Sequence, residues 1–309
     1  MCLGGLVALV LGGDWLVRGA VSLATRLGVS SLFTGLVIVG IGTSMPEMAT
    51  SVEAAIAGSP GIAWGNIAGS NLANTLLILG AAALIQPIAL DRSSLIRDAV
   101  VNVVVSVVLF TVAWFAWGSL WMGLGLVVGV VGYIFWMYRQ SLKSGAEVVA
   151  PAVDVPAAPT QSTLASGGLL LAGLAVMVVG AGFLVAGAVD LARTFGMSET
   201  VIGLTIVAVG TSLPELTASA IAAWRGHSEL AIGNVLGSNI FNILLIGGVT
   251  MAVSPTAIPA EMIDVELPLV IASAILIAGF IAFRKQIGRI AGSVLVALFA
   301  LNTAFLLAA

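Results

Sequence analysis

The sequence predicts an all-α polytopic membrane protein in which ten transmembrane helices form two inverted five-helix repeats. Three observations predict it. Apolar residues make up 60% of the 309 positions and charged residues only 8%, where a soluble domain carries roughly 25% charge. Ten apolar segments approach or exceed the length that a spanning helix needs, about 20 residues. Finally, the sequence repeats itself: shifted by 168 positions, its two halves overlay without a gap.

The segments lie near 2–25, 31–57, 61–85, 98–116, 119–138, 164–192, 199–223, 229–253, 267–283 and 288–308. The first begins like a signal peptide but runs past Asp14 and Arg18 into further apolar sequence. It has no small-residue cleavage site, so it reads as a membrane helix. The stretch 139–163 is rich in Ala, Pro and Ser and carries Arg139, Lys143, Glu147 and Asp154. It reads as a flexible cytoplasmic linker. The expected organisation is therefore a first five-helix repeat at 1–138, a linker at 139–163 and a second repeat at 164–309. Five is odd, so the second repeat enters the membrane from the opposite side and is inverted.

Basic residues set the orientation. With the N-terminus outside, the odd-numbered loops face the cytoplasm. Those loops hold Arg26, Arg92, Arg97, Arg139, Lys143, Arg225, Arg284, Lys285 and Arg289, nine of the 11 basic residues. Arg193 falls in an outer loop and Arg18 within the first segment. Both termini are expected outside a cell (inner) membrane. Trp114, Trp117, Trp121 and Trp136 lie at segment ends and read as interfacial anchors.

Several function classes are excluded. A net charge of −3 without a basic run points to no nucleic-acid partner. One cysteine, Cys2, permits neither an intramolecular disulfide nor a cysteine metal site. His227, the single histidine, sits beside Arg225 and Gly226 and reads as a solvated turn residue. No H-E-x-x-H, G-x-S-x-G or Walker A run is present, so an intramembrane enzyme or an ATP-driven pump is not expected, and no cofactor is implied.

The chemistry concentrates in two repeated motifs. Residues 42–51, GTSMPEMATS, align with 210–219, GTSLPELTAS. Residues 65–74, GNIAGSNLAN, align with 233–242, GNVLGSNIFN. Glu47 and Glu215 lie mid-segment, where a carboxylate is costly unless a cation or proton offsets it. Pro46 and Pro214 each remove a backbone donor and displace the carbonyl four residues back, at Gly42 and Gly210. Neighbouring carbonyls, at Thr43 and Thr211, are then free to line a cavity. Hard cations such as calcium want six to eight oxygens of this kind. Thr43, Ser44, Thr211 and Ser212 lie within about a turn of each glutamate. Ser70 and Asn74, four apart, share one helical face, as do Ser238 and Asn242. Asn71 and Asn239 point elsewhere, toward a kinked neighbouring backbone. Gly65, Gly69, Gly233 and Gly237 form small-xxx-small patterns for close packing. Asp14 and Arg18 pair on the first segment, Glu53 lines an outer vestibule, and Glu261, Asp264 and Glu266 are solvated loop residues.

These paired motifs resemble the alpha-1 and alpha-2 repeats of the calcium/cation antiporter superfamily, nearest to its compact prokaryotic sodium/calcium exchangers. The resemblance covers nearly the whole chain. It implies ten helices and a central diamond of Glu47, Asn74, Glu215 and Asn242. It implies calcium held mainly by Glu47, Glu215 and the Thr43 and Thr211 carbonyls. Sodium would use Ser44, Ser70, Ser212 and Ser238 as well, and segments one and six would slide as a pair. Some prokaryotic members carry an acid at the position of Asn242, and proton-coupled members carry asparagine, so sodium and proton both stand as coupling ions. Antiport of calcium against sodium is the leading expectation, with proton/calcium antiport next and a passive cation channel third.

Overall fold

The computed structural model describes residues 1–90, 92–143, 162–196, 208–255 and 258–308. Most of the expected linker, including Glu147 and Asp154, and the first part of the seventh segment lie outside the described residues. The helices are α1 (Cys2–Leu27), α2 (Ser31–Thr43), α3 (Met45–Ile56), α4 (Pro60–Ile85), α5 (Arg92–Trp114), α6 (Leu120–Lys143), α7 (Thr163–Thr194), α8 (Ala208–Thr211), α9 (Leu213–Trp224), α10 (Ser228–Val253), α11 (Glu261–Phe283, interrupted at Val265) and α12 (Arg289–Ala308). Among the described residues, seven helices are long and apolar enough to cross a membrane. The bent pair α2–α3 makes an eighth candidate, and the apolar stretch Arg289–Phe305 of α12 is shorter. The chain is a multi-pass helical membrane protein.

Local chemistry sets the helix ends. Gly28 closes α1 at φ 64°, a left-handed conformation that glycine adopts without Cβ strain. Ser30 and Ser162 accept the Phe33 and Ala165 amides at 3.1 Å and so cap the starts of α2 and α7. Pro60 opens α4, where its missing N–H costs nothing.

Small residues then decide what packs where. α1 runs along α7 with no room between them: a Cβ at Gly12 would lie 2.7 Å from the Gly173 carbonyl, and one at Gly173 would lie 2.5 Å from the Leu16 nitrogen. Helices α4 and α10 are the most enclosed, with 78% and 83% of their apolar windows buried. They form the centre. α2 packs on α10 through Gly35, Gly233 and Gly237, as the small-residue spacing predicted. No described residue of another helix lies within 4 Å of a Cβ placed at Gly65 or Gly69, so the close packing expected there is not seen among the described residues. Gly80 and Gly248, one repeat apart, seat α12 on α4 and α6 on α10 respectively.

Contacts also pair the loops. The Ser30 amide donates to Ser141 Oγ at 2.8 Å, bringing the loop after α1 to the end of α6. Residues 88–89 (β1) pair antiparallel with 286–287 (β2), and Leu90 N–H donates to the Lys285 carbonyl. Pro60, Ala113, Trp114 and Ile258 line one shallow cleft and so gather the loops before α4, after α5 and before α11. Each of these three contacts joins loops of like parity in the ten-segment numbering expected from the sequence.

Several expectations are corrected. The helical fold also carries an unforeseen β1–β2 ladder, two residues per strand, that joins two short loops. Segment four starts earlier, at Arg92, which puts Arg97 inside a helix. α6 continues through Lys143 and α7 begins at Thr163, so both ends of the expected linker are helical. Glu261 and Asp264 are exposed, as expected, but lie in a helical turn, while Glu266 is half-buried and helical, with Oε2 buried without a hydrogen-bond partner. His227 is half-buried at the start of α10; burial, with the Arg225 charge adding to it, holds its imidazole below the usual range. Asp14 does pair with Arg18 at 2.9 Å, and it also pairs with Arg225. Trp114, Trp117, Trp121 and Trp136 are exposed, as anchors should be.

Overpacking a filled helix interface costs typically 1–3 kcal/mol. Gly173→Leu, away from the glutamates, is therefore expected to lower the thermal midpoint of the purified protein by several degrees, as read by a thermal-shift assay.

Candidate cation site

Ser44 and Ser212 mark two breaks of the same kind. Ser44 sits at φ −81°, ψ 5°, between α2 and α3, whose axes bend by 43°. Ser212 sits at φ −89°, ψ 7°, between α8 and α9. A proline follows in the first turn of α3 and of α9, and a glutamate follows the proline. Each carboxylate therefore lies at a helix N-terminus, where unpaired amides and the helix dipole favour negative charge. This is the cheapest place along a spanning segment to bury an acid.

Both acids are buried, Glu47 at 2% exposure and Glu215 at 1%. The breaks face each other and exchange hydrogen bonds. Ser44 Oγ donates to Glu215 Oε1 at 3.2 Å, and Ser212 Oγ donates to Glu47 Oε1 at 3.2 Å. Each half of the chain thus supplies the donor for the other half's carboxylate. The second oxygens, Oε2 of Glu47 and of Glu215, are buried with no hydrogen-bond partner. Asn74 Oδ1, Asn242 Oδ1 and Ser238 Oγ share that condition. Five of the expected ligand side chains therefore present unsatisfied, buried oxygens, and Asn239 Oδ1 is in the same state. Oxygens left in this way cost free energy unless a cation coordinates them.

The remaining expected residues are close by in the chain and buried or half-buried. Thr43 Oγ1 bonds back to the Val39 carbonyl at 3.1 Å and lies 3.4 Å from Asn234 Oδ1. Thr211 ends α8 in the matching position and is half-buried. Ser70 and Ser238 are buried one turn before Asn74 and Asn242. Both asparagines fall in π-helical stretches, Ala73–Ile78 and Asn242–Ile246, a widening of the helix that recurs at functional sites. Glu53 is exposed beyond the break. Among the described residues, no group of three or more His, Cys, Asp or Glu is placed to hold a metal ion. The donor set is two carboxylates among neutral oxygens, which suits hard cations and not soft metals.

Sequence reasoning missed the residues that hold the breaks in place. Asn66 Nδ2 donates to the Glu47 carbonyl at 3.1 Å and to Ser51 Oγ at 2.9 Å. Asn234 Nδ2 does the same at the Glu215 carbonyl and Ser219 Oγ, at 3.4 and 2.9 Å. These are the asparagines of the paired Gly-Asn dipeptides, and their recurrence at the 168-residue offset was the available signal. Asn71 and Asn239 do not turn away to the kinks. They bridge the halves: Asn71 Nδ2 reaches the Asn239 carbonyl at 3.3 Å, and Asn239 Nδ2 reaches Thr75 Oγ1 at 3.1 Å. A further buried acid, Asp98, is fully paired by Arg97 at 2.8 Å and by the Tyr133 hydroxyl at 3.0 Å. It is a satisfied ion pair.

Two equivalent helix breaks that present carboxylates and neutral oxygens inside a multi-pass bundle define a membrane cation-handling protein. Comparison with known proteins agrees. The family model described as sodium/calcium exchanger protein matches residues 1–140 and 165–308. The chain belongs to that family, whose members are transporters and not enzymes. It is 40% identical to the putative antiporter CaxA of Alkalimonas amylolytica over 262 residues, covering 83% of this chain and 81% of that protein. It is 34% identical to the sodium/calcium exchanger MaX1 of Methanosarcina acetivorans over 325 residues, covering 94% and 93%. Its structure is similar to that of the sodium-calcium exchanger NCX_Mj soaked with sodium and strontium, with a TM-score of 0.84 and 32% identity over 98% of this chain and 96% of that one.

A hydrogen bond to a buried charged group is worth about 1.5–3 kcal/mol. Ser44→Ala and Ser212→Ala are each expected to weaken calcium binding at least tenfold, and by similar factors. Isothermal titration of the purified variants reads this directly.

Proposed function

We propose that this chain is a secondary-active antiporter that exchanges calcium for sodium across the cell (inner) membrane by alternating access. One observation carries the reading: the glutamates of two equivalent helix breaks, each bonded by the other half's serine, hold buried oxygens that only a cation or proton would satisfy. The names borne by the relatives support calcium and sodium as the ions.

The proposed architecture is ten transmembrane helices in two inverted five-helix repeats, 1–138 and 164–309, joined by a cytoplasmic linker at 139–163. Both termini lie outside. Gly80 and Gly248, one repeat apart, make equivalent contacts, and the loops segregate by parity; both support this arrangement. Inverted repeats with broken helices at their interface are an established way to build alternating access.

Calcium would be held by Glu47, Glu215 and the carbonyls of Thr43 and Thr211, with Asn74 and Asn242 completing the diamond. Sodium ions would occupy oxygens of the same set, with Ser44, Ser70, Ser212 and Ser238. Competition for shared oxygens is itself the coupling. The carboxylates repel each other and resist enclosure in apolar surroundings until their charge is offset, so the bundle reorients when loaded with either ion and stays put when empty. The compact α1–α7 pair is the proposed moving body. Its tight mutual packing favours motion as one unit.

A proton-coupled version is the second reading, and Asn242 favours it: the diamond carries two acids and two amides. Reconstituted vesicles separate the readings. An outward-directed sodium gradient is expected to drive calcium uptake, and a pH gradient without sodium is not. Glu47→Gln and Glu215→Gln are each expected to reduce sodium-driven uptake to the level of protein-free vesicles. Uptake at the wild-type rate in either variant rules out the shared site, and calcium flux with no counter-ion dependence indicates a channel.

A further inference from the structure

The amide of Asn242 has its orientation dictated from the other half of the chain. An asparagine side chain ends in one acceptor and one donor of nearly equal size, so the sequence alone does not say which faces an ion. Here the choice is forced by a backbone group. The main-chain carbonyl of Asn239 can only accept, and the Asn71 side chain meets it at 3.3 Å. Asn71 must therefore turn Nδ2 toward it, which leaves Asn71 Oδ1 as an acceptor. That oxygen lies 3.0 Å from Asn242. Only a donor satisfies it, so Asn242 offers Nδ2, and its Oδ1 is turned to the opposite side. There Oδ1 is buried with no hydrogen-bond partner, like the second oxygens of Glu47 and Glu215. Asn71 and Asn242 are both 1% exposed, so water does not relax the constraint.

The two halves differ at this point, and the sequence shows why. Asn239, the counterpart of Asn71, donates to Thr75 Oγ1 at 3.1 Å. Thr75 has Ile243 as its own counterpart. Isoleucine has no hydroxyl to capture Asn71, so Asn71 finds the Asn239 carbonyl instead and is set to receive the Asn242 amide. One Thr/Ile difference thus gives Asn242 a fixed partner.

We propose that Asn71 is a positioning residue that fixes Asn242 with its carbonyl oxygen toward the transported cation, and that this bond makes position 242 demand an amide. A carboxylate at 242 would set an oxygen against Asn71 Oδ1. Turning Asn71 over to relieve this would set its oxygen against the Asn239 carbonyl. The inference rests on the shared cation site proposed above.

The test is a double-mutant cycle on calcium binding, with calcium itself as the probe and the purified full chain as the protein. Asn71→Leu is expected to raise half-saturating calcium about tenfold, the effect of one lost buried hydrogen bond. If Asn71 acts through Asn242, the same substitution in an Asn242→Ala background adds nothing further. Asn71→Ala serves as a second variant if Asn71→Leu fails to fold, judged by its thermal midpoint. Glu47→Gln provides the separating control. If it abolishes binding while folded Asn71 variants bind as the wild type does, or if the two effects simply add, the positioning role is overturned and the site stands. If Glu47→Gln binds calcium normally, the site itself is overturned.

Discussion

Two carboxylates buried in an apolar bundle set the terms for the rest of this structure. Placing one acid at bilayer depth costs about 2.5–3.5 kcal/mol even on the mild scale of helix insertion, and two acids close together also repel. The fold answers with helix N-termini. The breaks at Ser44, between α2 and α3, and at Ser212, between α8 and α9, put Glu47 and Glu215 in first turns, among amides that a continuous helix would have consumed. The prolines make each break local, because their missing N–H would have been a ladder donor. Asn66 and Asn234 then hold the broken ends by taking the glutamate carbonyls. Unsatisfied among the paired-motif residues are oxygens on two carboxylates, three amides and a hydroxyl, the kind of donor set a hard cation requires.

The serine–glutamate bonds cross from one half of the chain to the other. Neither half completes its own carboxylate. A site of this kind responds to relative motion of the halves, since displacing one alters the donors of both acids together. Such dependence suits a carrier better than a pore, where a fixed ring of ligands suffices. The near-symmetry also isolates its exceptions. Thr75 against Ile243 changes the bonding of two asparagines without touching the glutamates, so the halves carry the same acids in different amide surroundings.

Much of this was legible in the sequence, for identifiable reasons. Helix positions follow from apolar length, and the breaks follow from proline, whose effect is local and needs no knowledge of the partner. Glu47 and Glu215 stand out because acids are so rare in such segments. The exchange of hydrogen bonds between halves was not legible, since it joins residues 171 and 165 positions apart. Asn66 and Asn234 were quoted within the motif yet given no role: asparagine in a spanning helix bonds many kinds of partner, and only the fold brings the kink carbonyl within reach. The β1–β2 ladder is two residues per strand and leaves no alternating pattern to read. Asp98 was hidden for a different reason. Its charge is cancelled by the adjacent Arg97, a pairing that helical geometry does not ordinarily favour at neighbouring positions.

One shared site, and not two half-sites, is the central claim, and counting bound calcium tests it most directly. Equilibrium dialysis of the purified chain should find one calcium bound per polypeptide at saturation. Glu47→Gln and Glu215→Gln should each remove that binding entirely while leaving the protein folded. Two calcium ions per chain, or one ion retained at wild-type affinity when either glutamate is replaced, would contradict a single site built from both halves.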